Sequence, residues 1–483
     1  MNLSHYYKFL RKIERNVDKS KLNVNGINLW PIISIQLGMS VLSVIDGKNE
    51  NITSFRYRLI KKLETIIKSR LNIFSLISFL VKRDFKNFKK RSFLFLTDTS
   101  SKRFLFKKKW YDLYIDSFID NNKKIESDCY IFESNQRFLK FKKPIRETHY
   151  IQNLMIFSFI KSLFIKKPYF SKQFESEYEK IVKLSNNTPY QNFIISKKNL
   201  LREWSIIYVL SNYFKKILRI INPKQIYMIH YNGYDGMSMC LAAREMNIES
   251  FDIQHGVQGK YHPAYNFNNI PKEGYNLLPN TFLVWSDKEK KMLDQSFKKL
   301  KIHKAEVLGN LSLQKFKKQT DVSLHFDKMF LEKINIKNEK KIILISLCWG
   351  EVINDDVIKF INITSDEYYF LLRIHPSTTK IEKSKIYMQL SKINTLNFEY
   401  EFSSTLPIHS ILRNINFHIT SVSTVVLEAL EFGVKSIVTS FRGKSYYENE
   451  INKKQVFFCD SHKKIFQIVK SNLTLSYIER EKV

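Results

Sequence analysis

The sequence is poor in cysteine, glycine and proline for a chain of 483 residues. Its four cysteines stand far apart, without the paired spacing of a zinc site or a disulfide framework, which indicates a reducing compartment. With only 12 glycines and 10 prolines, collagen-like and low-complexity chains are excluded. A hydrophobic fraction of 44% and an aromatic fraction of 14% exclude a chain that is disordered throughout. The length suits two domains better than one.

Acidic residues are also scarce: 46 Asp and Glu stand against 79 Lys and Arg, a net charge of +33. This excess favours nucleic acid, an anionic membrane surface or phosphorylated substrates as partners, although a compositional drift towards lysine explains it equally. The basic runs 86–91, 107–109 and 140–143 lie mostly in the first third of the chain. They predict contact with an anionic inner-membrane surface, with a solvated face as the alternative. We expect no nucleic-acid partner, because the sequence has no zinc spacing, RNP-like segment or basic helix-turn-helix unit.

No segment has the pattern of a secretory signal or a membrane span. The N-terminus is polar and charged. The apolar stretch 27–45 is interrupted by Asn28, Pro31 and Gln36, so we predict a buried helix there. The expected location is the cytoplasm, with the protein peripheral on the inner face of the membrane.

Hydrophobic patterning divides the chain into three parts. Residues 1–90 are predicted to be a helical N-terminal segment, including 57–80, where apolar and basic residues recur at helical spacing. Strand and helix patterns alternate over 91–315 and again over 341–475, with the polar stretch 316–340 as the boundary. We predict a GT-B-like α/β fold: two Rossmann-like domains that face a cleft, where ligands bind beyond the carboxyl ends of the strands.

The segment 418–439 carries the sharpest motif, a strand followed by a Ser/Thr-rich turn, a helix and another strand. Unpaired N–H groups at the start of this helix and the hydroxyls of Ser421, Ser423 and Thr424 predict a phosphate cradle without a glycine-rich loop. Glu428, one turn further along the same helix face, is a candidate acceptor for ribose hydroxyls. The alternative is that Ser423 caps the helix and Glu428 is a solvated side chain.

A second predicted strand ends in Arg373, Ile374, His375 and Pro376. The proline ends the strand and holds His375 in an extended conformation at its carboxyl end. His375 is therefore a candidate to donate to a departing phosphate, and Arg373 joins it in the predicted donor-binding set. A turn-capping histidine is the alternative.

A third strand ends in Gln254, His255 and a glycine. His255 has the pKa range that suits a general base. Asp235, in the turn before the preceding helix, is the rival base, unless it only caps that helix. Gln254, His262 and Tyr265 are candidates to shape an acceptor pocket.

Taken in order, these segments resemble bacterial surface-polysaccharide glycosyltransferases of the GT-B type, found in capsule and O-antigen gene clusters. The matching segments span 27–440 and are INLWP, FLFLTDTSSKRF, DIQHGV with HPAY, FLVWSDKEKK, VLGN, RIHP and the SVST-to-EALEFG helix. The resemblance implies transfer of a sugar from a nucleotide-sugar donor, bound by 341–475, to a lipid-linked or growing glycan, bound by 91–315. Because no DxD-like pair is present, we expect no metal and no further cofactor.

The His-Pro and Ser/Thr motifs are also similar to those of CMP-sugar enzymes, the sialyl and Kdo transferases. In those enzymes an acidic pair followed by glycine supplies the base. Here the strand end carries Gln254, His255 and Gly256, and the nearby acidic–glycine pair is Asp235 with Gly236. The base therefore stays open between His255 and Asp235. The alternative functions are a CDP-glycerol-type glycerophosphotransferase of teichoic-acid-like polymer synthesis and a non-catalytic partner in polysaccharide assembly.

Overall fold

The computed structural model describes residues 3–45, 88–135, 142–258, 261–298, 300–318, 320–334, 340–348, 350–376, 378 and 380–473. The predicted helix over 57–80 and parts of the basic runs 86–91 and 140–143 lie outside the described residues. The chain divides into two compact units, the first of Met1–Ser101 with Tyr114–Asn310 and the second of Lys102–Leu113 with Leu311–Val483.

The described helices and strands are, in chain order, α1 Leu3–Asn16, β1 Asn23–Val24, β2 Ile27–Asn28, α2 Trp30–Ile45, β3 Phe93–Asp98, β4 Lys102–Phe106, β5 Lys109–Asp112, α3 Ile115–Asp120, α4 Lys123–Glu126, β6 Cys129–Ser134, β7 His149–Tyr150, α5 Gln152–Ser162, α6 Lys172–Ser185, α7 Lys197–Ile221, β8 Gln225–Met228, α8 Tyr234–Glu245, β9 Glu249–Ile253, β10 Thr281–Val284, α9 Asp287–Phe297, β11 Lys304–Val307, α10 Leu311–Lys317, α11 Asp321–Ile334, β12 Lys341–Ser346, α12 Asp355–Ile363, β13 Tyr368–Arg373, α13 Lys380–Leu390, β14 Phe398–Glu399, α14 Glu401–Thr405, α15 Ile408–Asn414, β15 Phe417–Thr420, α16 Val425–Glu431, β16 Ser436–Val438, α17 Phe441–Tyr446, α18 Glu448–Asn452, β17 Val456–Phe458 and α19 His462–Asn472.

The first unit is built on a parallel sheet whose described strands run in the order β11-β10-β9-β8-β3-β6-β7. β3 is central, and its residues Leu94, Phe95 and Leu96 are all buried, as expected for a strand covered on both faces. From β3 the chain adds β6 and β7 on one side and then β8 to β11 on the other. This reversal places a crevice at the carboxyl ends of β3 and β8, the position where ligands bind in doubly wound sheets.

The second unit repeats this arrangement. Its described strands form a parallel sheet in the spatial order β14-β13-β12-β15-β16-β17. Along the chain, β12 is the first of these strands and β15 is the fourth. The order therefore reverses between β12 and β15, and their carboxyl ends flank the second crevice. The predicted α/β fold with two Rossmann-like domains and N-terminal helices is confirmed. The cleft expected between the two stays a prediction.

The division into units differs from the predicted domains at three places: the stretch 316–340, the hairpin β4–β5 and the N-terminal helices. The polar stretch 316–340, predicted as a boundary, contains the whole of α11, because Phe326 and Phe330 are buried on one face of that helix. The hairpin β4–β5 was not predicted, and it belongs to the second unit although it follows β3 of the first. Its Phe104 ring packs edge-on against Phe316 and Phe326, with ring centroids 6.1 and 5.1 Å apart.

The N-terminal helices α1 and α2 belong to the first unit instead of forming a part of their own. Tyr6, Ile13 and Trp30 are fully buried in its core. The predicted buried helix in 27–45 is confirmed as α2. No helix in the described ranges combines the length and apolar character that crossing a membrane requires.

Candidate functional site

In the second unit, Glu351 and Ser421 meet at the crevice. Glu351 follows β12 and Ser421 follows β15. Both residues therefore lie beyond the carboxyl ends of the two strands between which the strand order reverses. The Ser421 hydroxyl donates to Glu351 Oε1, and Glu351 Oε2 accepts a hydrogen bond of 2.9 Å from Cys348 N. Both side chains are partly exposed. The pair therefore offers hydrogen-bond acceptors to a hydroxyl-rich ligand in the crevice.

The predicted helix after the Ser/Thr turn is α16, which has seven residues. The amides of its first turn already have partners: Val425 N donates to Ser423 Oγ at 3.3 Å, and Leu427 N donates to Thr424 O at 2.9 Å. The Ser423 hydroxyl thus accepts from the first amide of the helix, and its contact with a phosphate stays a prediction. The partly exposed Thr424 hydroxyl has no hydrogen bond to another described residue. The groups in this turn that can bind a phosphate are therefore side-chain hydroxyls and not the amides of the helix.

Glu428 is tied to a buried histidine. His409 Nε2 lies 2.9 Å from Glu428 Oε1, and His409 Nδ1 lies 3.3 Å from Ser312 Oγ. The three residues come from α16, α15 and α10, and all three are buried. If Glu428 is ionised, His409 donates through Nε2 and accepts at Nδ1 from the serine hydroxyl, so one neutral tautomer satisfies both contacts. The carboxylate keeps a side-chain exposure of 10%. Glu428 is therefore not a freely solvated side chain but a held acceptor with one accessible edge.

The structure separates Arg373 from His375. Arg373 is buried at the end of β13, and its Nη1 donates to the carbonyls of Ser403 and Leu406, both at 2.6 Å. These bonds tie Arg373 to the chain around α14, and its contact with the donor stays a prediction. His375 lies two residues beyond the strand, is partly exposed, and accepts a backbone hydrogen bond of 2.9 Å from Thr378. His375 stays a candidate for contact with a phosphate.

In the first unit, Asp235 lies at the crevice, in the first turn of α8. Its carboxyl group is only 4% exposed. Burial raises the pKa of Asp235, and the negative charge of the neighbouring Asp98 adds to this effect. A hydrogen bond from Ser134 lowers the pKa, and the net value is about 6. Asp98 ends β3 and Ser134 ends β6, so three strand or helix ends meet here. A carboxylate in this pKa range is ionised at neutral pH and still basic enough to accept a proton from a hydroxyl group.

His230 and His255 lie together at the same crevice. Their ring centroids are 3.7 Å apart, and Tyr114 Oη donates to the His255 carbonyl at 2.8 Å. His230 has a positive φ of 66°, a conformation that non-glycine residues seldom adopt and that often marks functional sites. A Cβ at Gly236 would lie 2.5 Å from Tyr231 Cα, so this glycine allows α8 to begin against the same backbone. The two rival bases of the sequence are therefore both at the crevice.

Two of the predicted acceptor residues are buried. Gln254 is fully buried, donates to Gly256 O at 2.9 Å and accepts from Trp285 N at 2.6 Å. Tyr265 is buried as well, and its hydroxyl donates to Asp252 Oδ2 at 2.9 Å. Both side chains are buried and hydrogen-bonded within the first unit, and their contact with an acceptor stays a prediction. His262 is partly exposed, and its Nδ1 accepts from Ala264 N at 3.2 Å, so it stays a candidate.

Sequence reasoning missed several residues that the structure brings to these places: Asp98, Ser134, His230, Ser312, Glu351 and His409. Asp98, Ser134 and His230 end or follow predicted strands, as His255 does, so the strand-end argument could have found them. Glu351 follows a strand too, but at a distance of five residues. Ser312 and His409 lie in helices that carry no motif, so the sequence holds no signal for them.

No protein-family model matches the chain, and no curated protein sequence does. Among solved structures, it is similar to the UDP-GlcNAc 2-epimerase of Methanocaldococcus jannaschii, with 13% identity, 80% of this chain and 93% of that chain covered, and a TM-score of 0.47. It is similar to the UDP-GlcNAc 2-epimerase of Neisseria meningitidis, with 12% identity, coverages of 80% and 95%, and a TM-score of 0.46. It is also similar to the wall teichoic acid polymerase TagF, with 11% identity, coverages of 90% and 92%, and a TM-score of 0.46. The assignment of two Rossmann-like units rests on the strand orders of the two parallel sheets and not on these similarities.

Proposed function

We propose that this protein is a glycosyltransferase that moves a sugar from a nucleotide-sugar donor to a growing surface polysaccharide, of the capsule or O-antigen kind. The observation that carries the proposal is Asp235, a buried carboxyl group with a pKa of about 6 at the crevice of a Rossmann-like sheet. Acidic side chains are seldom buried unless they are paired, and this one, which lies near a second carboxyl group, Asp98, has a pKa in the range that suits a general base.

In the proposed reaction, Asp235 accepts the proton of an acceptor hydroxyl as the hydroxyl oxygen forms a bond to the anomeric carbon of the sugar. The bond between that carbon and the phosphate oxygen breaks, and the nucleotide leaves with the electron pair. His255 and His230, whose rings lie 3.7 Å apart, then orient the hydroxyl or share its proton. His262 is the further candidate for contact with the acceptor.

The second unit is proposed to bind the donor. Glu428 and Glu351 would accept hydrogen bonds from ribose or sugar hydroxyls, because one is held by His409 and the other by Cys348 N. Thr424 and His375 would donate to the leaving phosphate. Side-chain donors of this kind stabilise the charge that develops on the phosphate, so the reaction is proposed to need no metal.

A glycerophosphotransferase that uses CDP-glycerol is the second candidate, and Asp235 supports it equally. The same base would deprotonate a glycerol hydroxyl, which would then form its bond to phosphorus instead of carbon, and CMP would leave. In either case the acceptor is proposed to be a lipid-linked or growing polymer at the inner face of the membrane.

A thermal-shift screen tests the proposal. The purified protein is heated with CMP, CDP, UDP, GDP and their activated sugars, and with CDP-glycerol, each with and without EDTA. A nucleotide that binds only the folded state raises Tm, and the nucleotide that does so names the donor class. A shift that survives EDTA supports a metal-free site. If folded protein shows no shift with any of these ligands, the donor site assigned to the second unit is wrong.

A further inference from the structure

The loop between α5 and α6 exposes large apolar side chains. Leu163 is 54% exposed, Phe164 is 82% exposed and Tyr169 is 89% exposed. Single exposed apolar residues are common on soluble proteins, but three in one short segment mark a contact surface. We call residues 163–170 the 163–170 loop.

The loop is fixed at both ends. Ile165 and Phe170 pack against the core of the first unit, and the Phe170 ring stacks on Phe174 with centroids 4.3 Å apart. At the start of the loop, Phe164 N donates to Lys161 O at 3.0 Å. The inward side chains therefore anchor the loop, and the outward ones are presented to solvent by a defined backbone.

The surroundings of the exposed side chains are basic. Lys166 and Lys167 are exposed within the loop, Lys172 follows it at the start of α6, and no ion pair joins any of the three to another described residue. From 148 to 174 the sequence contains no Asp or Glu. The nearest described lysine–carboxylate pair further along α6 joins Lys180 to Glu177 at 2.8 Å.

We propose that the 163–170 loop docks on an anionic lipid surface, with Phe164 and Tyr169 in the interfacial layer and Lys166 and Lys167 on the headgroups. Aromatic rings favour the boundary between headgroups and acyl chains, and basic side chains are attracted by anionic headgroups. A protein partner of the same loop would need carboxylates to match the lysines, whereas an anionic membrane supplies this charge everywhere. The proposal stands apart from the proposed function, because it assigns a surface and no chemistry.

Vesicle cosedimentation tests it with the full chain. Vesicles of phosphatidylcholine alone are compared with vesicles that contain 30% phosphatidylglycerol, a fraction on the order of that in anionic membranes. The wild type is expected to bind the anionic vesicles at least about tenfold more tightly. Lys166→Glu with Lys167→Glu should lower this affinity by about tenfold or more, because each lysine near the surface contributes a several-fold gain.

The apolar contribution has its own variant. Phe164→Ser with Tyr169→Ser is expected to lower the affinity for anionic vesicles by about tenfold while the lysines stay in place. The matched controls are Lys383→Glu with Lys385→Glu, an exposed pair in α13, and Leu396→Ser, which changes a fully exposed apolar residue. Both controls should bind anionic vesicles within about twofold of the wild type, since neither lies in the loop.

Two results would overturn the proposal: loop variants that bind anionic vesicles as the wild type does, or loop variants no weaker than the matched controls. Because the altered side chains are exposed, Tm should stay unchanged, and circular dichroism confirms the fold of each variant. Nucleotide-induced thermal shifts, measured on the same preparations, report on the donor site alone and separate its failure from failure of the loop.

Discussion

His409 and Glu428 form a buried pair in which Nε2 of the imidazole lies 2.9 Å from a carboxylate oxygen. The imidazole in turn contacts the Ser312 hydroxyl, so the carboxylate is held through two neighbouring helices. Such support fixes a hydrogen-bond acceptor in one orientation, which is what recognition of a sugar hydroxyl requires.

Glu428→Gln should weaken binding of the preferred nucleotide by about tenfold, the cost of one charge-assisted hydrogen bond. It should also remove the preference for that nucleotide over its 2′-deoxy counterpart, because the missing hydroxyl no longer has a charged acceptor. Isothermal titration with both nucleotides measures this. Glu431→Gln, an exposed neighbour in the same helix, is the control. Equal nucleotide binding by the Glu428 and Glu431 variants would contradict a hydrogen bond between Glu428 and the ribose.

His409→Ala should lower the free energy of unfolding by about 2–4 kcal/mol, because it opens a cavity and leaves the Glu428 carboxylate without its buried partner. His325→Ala, a change at an exposed histidine in α11, should cost less than about 1 kcal/mol. Urea unfolding followed by circular dichroism compares the two. A loss at position 409 no larger than that at 325 would contradict a supporting role for this imidazole.

Asp235→Asn should lower the rate of transfer by about 10²–10⁴-fold, the range typical of a lost general base. Since the folded-state pKa of Asp235 is about 6 and the base must be ionised, the wild-type rate should fall as the pH drops below 6. The variant should lose this dependence. Its Tm at neutral pH should not fall, because an amide replaces a carboxylate whose charge is costly to bury. Asp287→Asn, at the exposed start of α9, is the control and should leave the rate unchanged.

Asp252 gives a pH dependence of stability. Burial raises its folded-state pKa from 3.8 to about 7, so the folded protein holds this proton more firmly than the unfolded chain does. The contribution of Asp252 to the free energy of unfolding is therefore largest below pH 4 and decreases as the pH rises to about 7. Asp252→Asn should flatten this part of the profile, as urea unfolding between pH 4 and 8 measures. A steeper decrease in the variant would mean that the carboxyl group is ionised in the fold.

The central strands were predictable because they are short, apolar and followed by turn residues. β6 is such a run, CYIFES, and α7 ends at Ile221, where Asn222 in the left-handed conformation and Pro223 stop the helix. The candidate site was predictable only where a functional residue directly follows such a strand. Glu351 and Ser421 lie 70 residues apart in sequence and meet only because β12 and β15 are neighbours. No local pattern could have joined them.

The burial of Gln254 and Tyr265 shows the opposite limit. Both stand in motifs that follow a strand, and sequence alone does not tell a polar side chain that meets a ligand from one that ties a loop to the core. The Tyr265 hydroxyl donates to Asp252, a residue within β9 that also accepts a hydrogen bond from Tyr231 N, and both contacts form only when the chain folds. The pKa of Asp235 had the same limit, since it depends on Asp98 and Ser134 at the distant ends of β3 and β6.

The hairpin β4–β5 has a consequence for synthesis and for truncation. The chain enters the second unit at Lys102, returns to the first at Tyr114 and enters the second again at Leu311. During translation, Phe104 is made about two hundred residues before Phe316 and Phe326, the rings against which it packs. The second unit can therefore be completed only after residues 311–483 have been synthesised, although its segment 102–113 is synthesised much earlier. A fragment that starts at 311 would lack its hairpin and expose the aromatic surface that the hairpin covers.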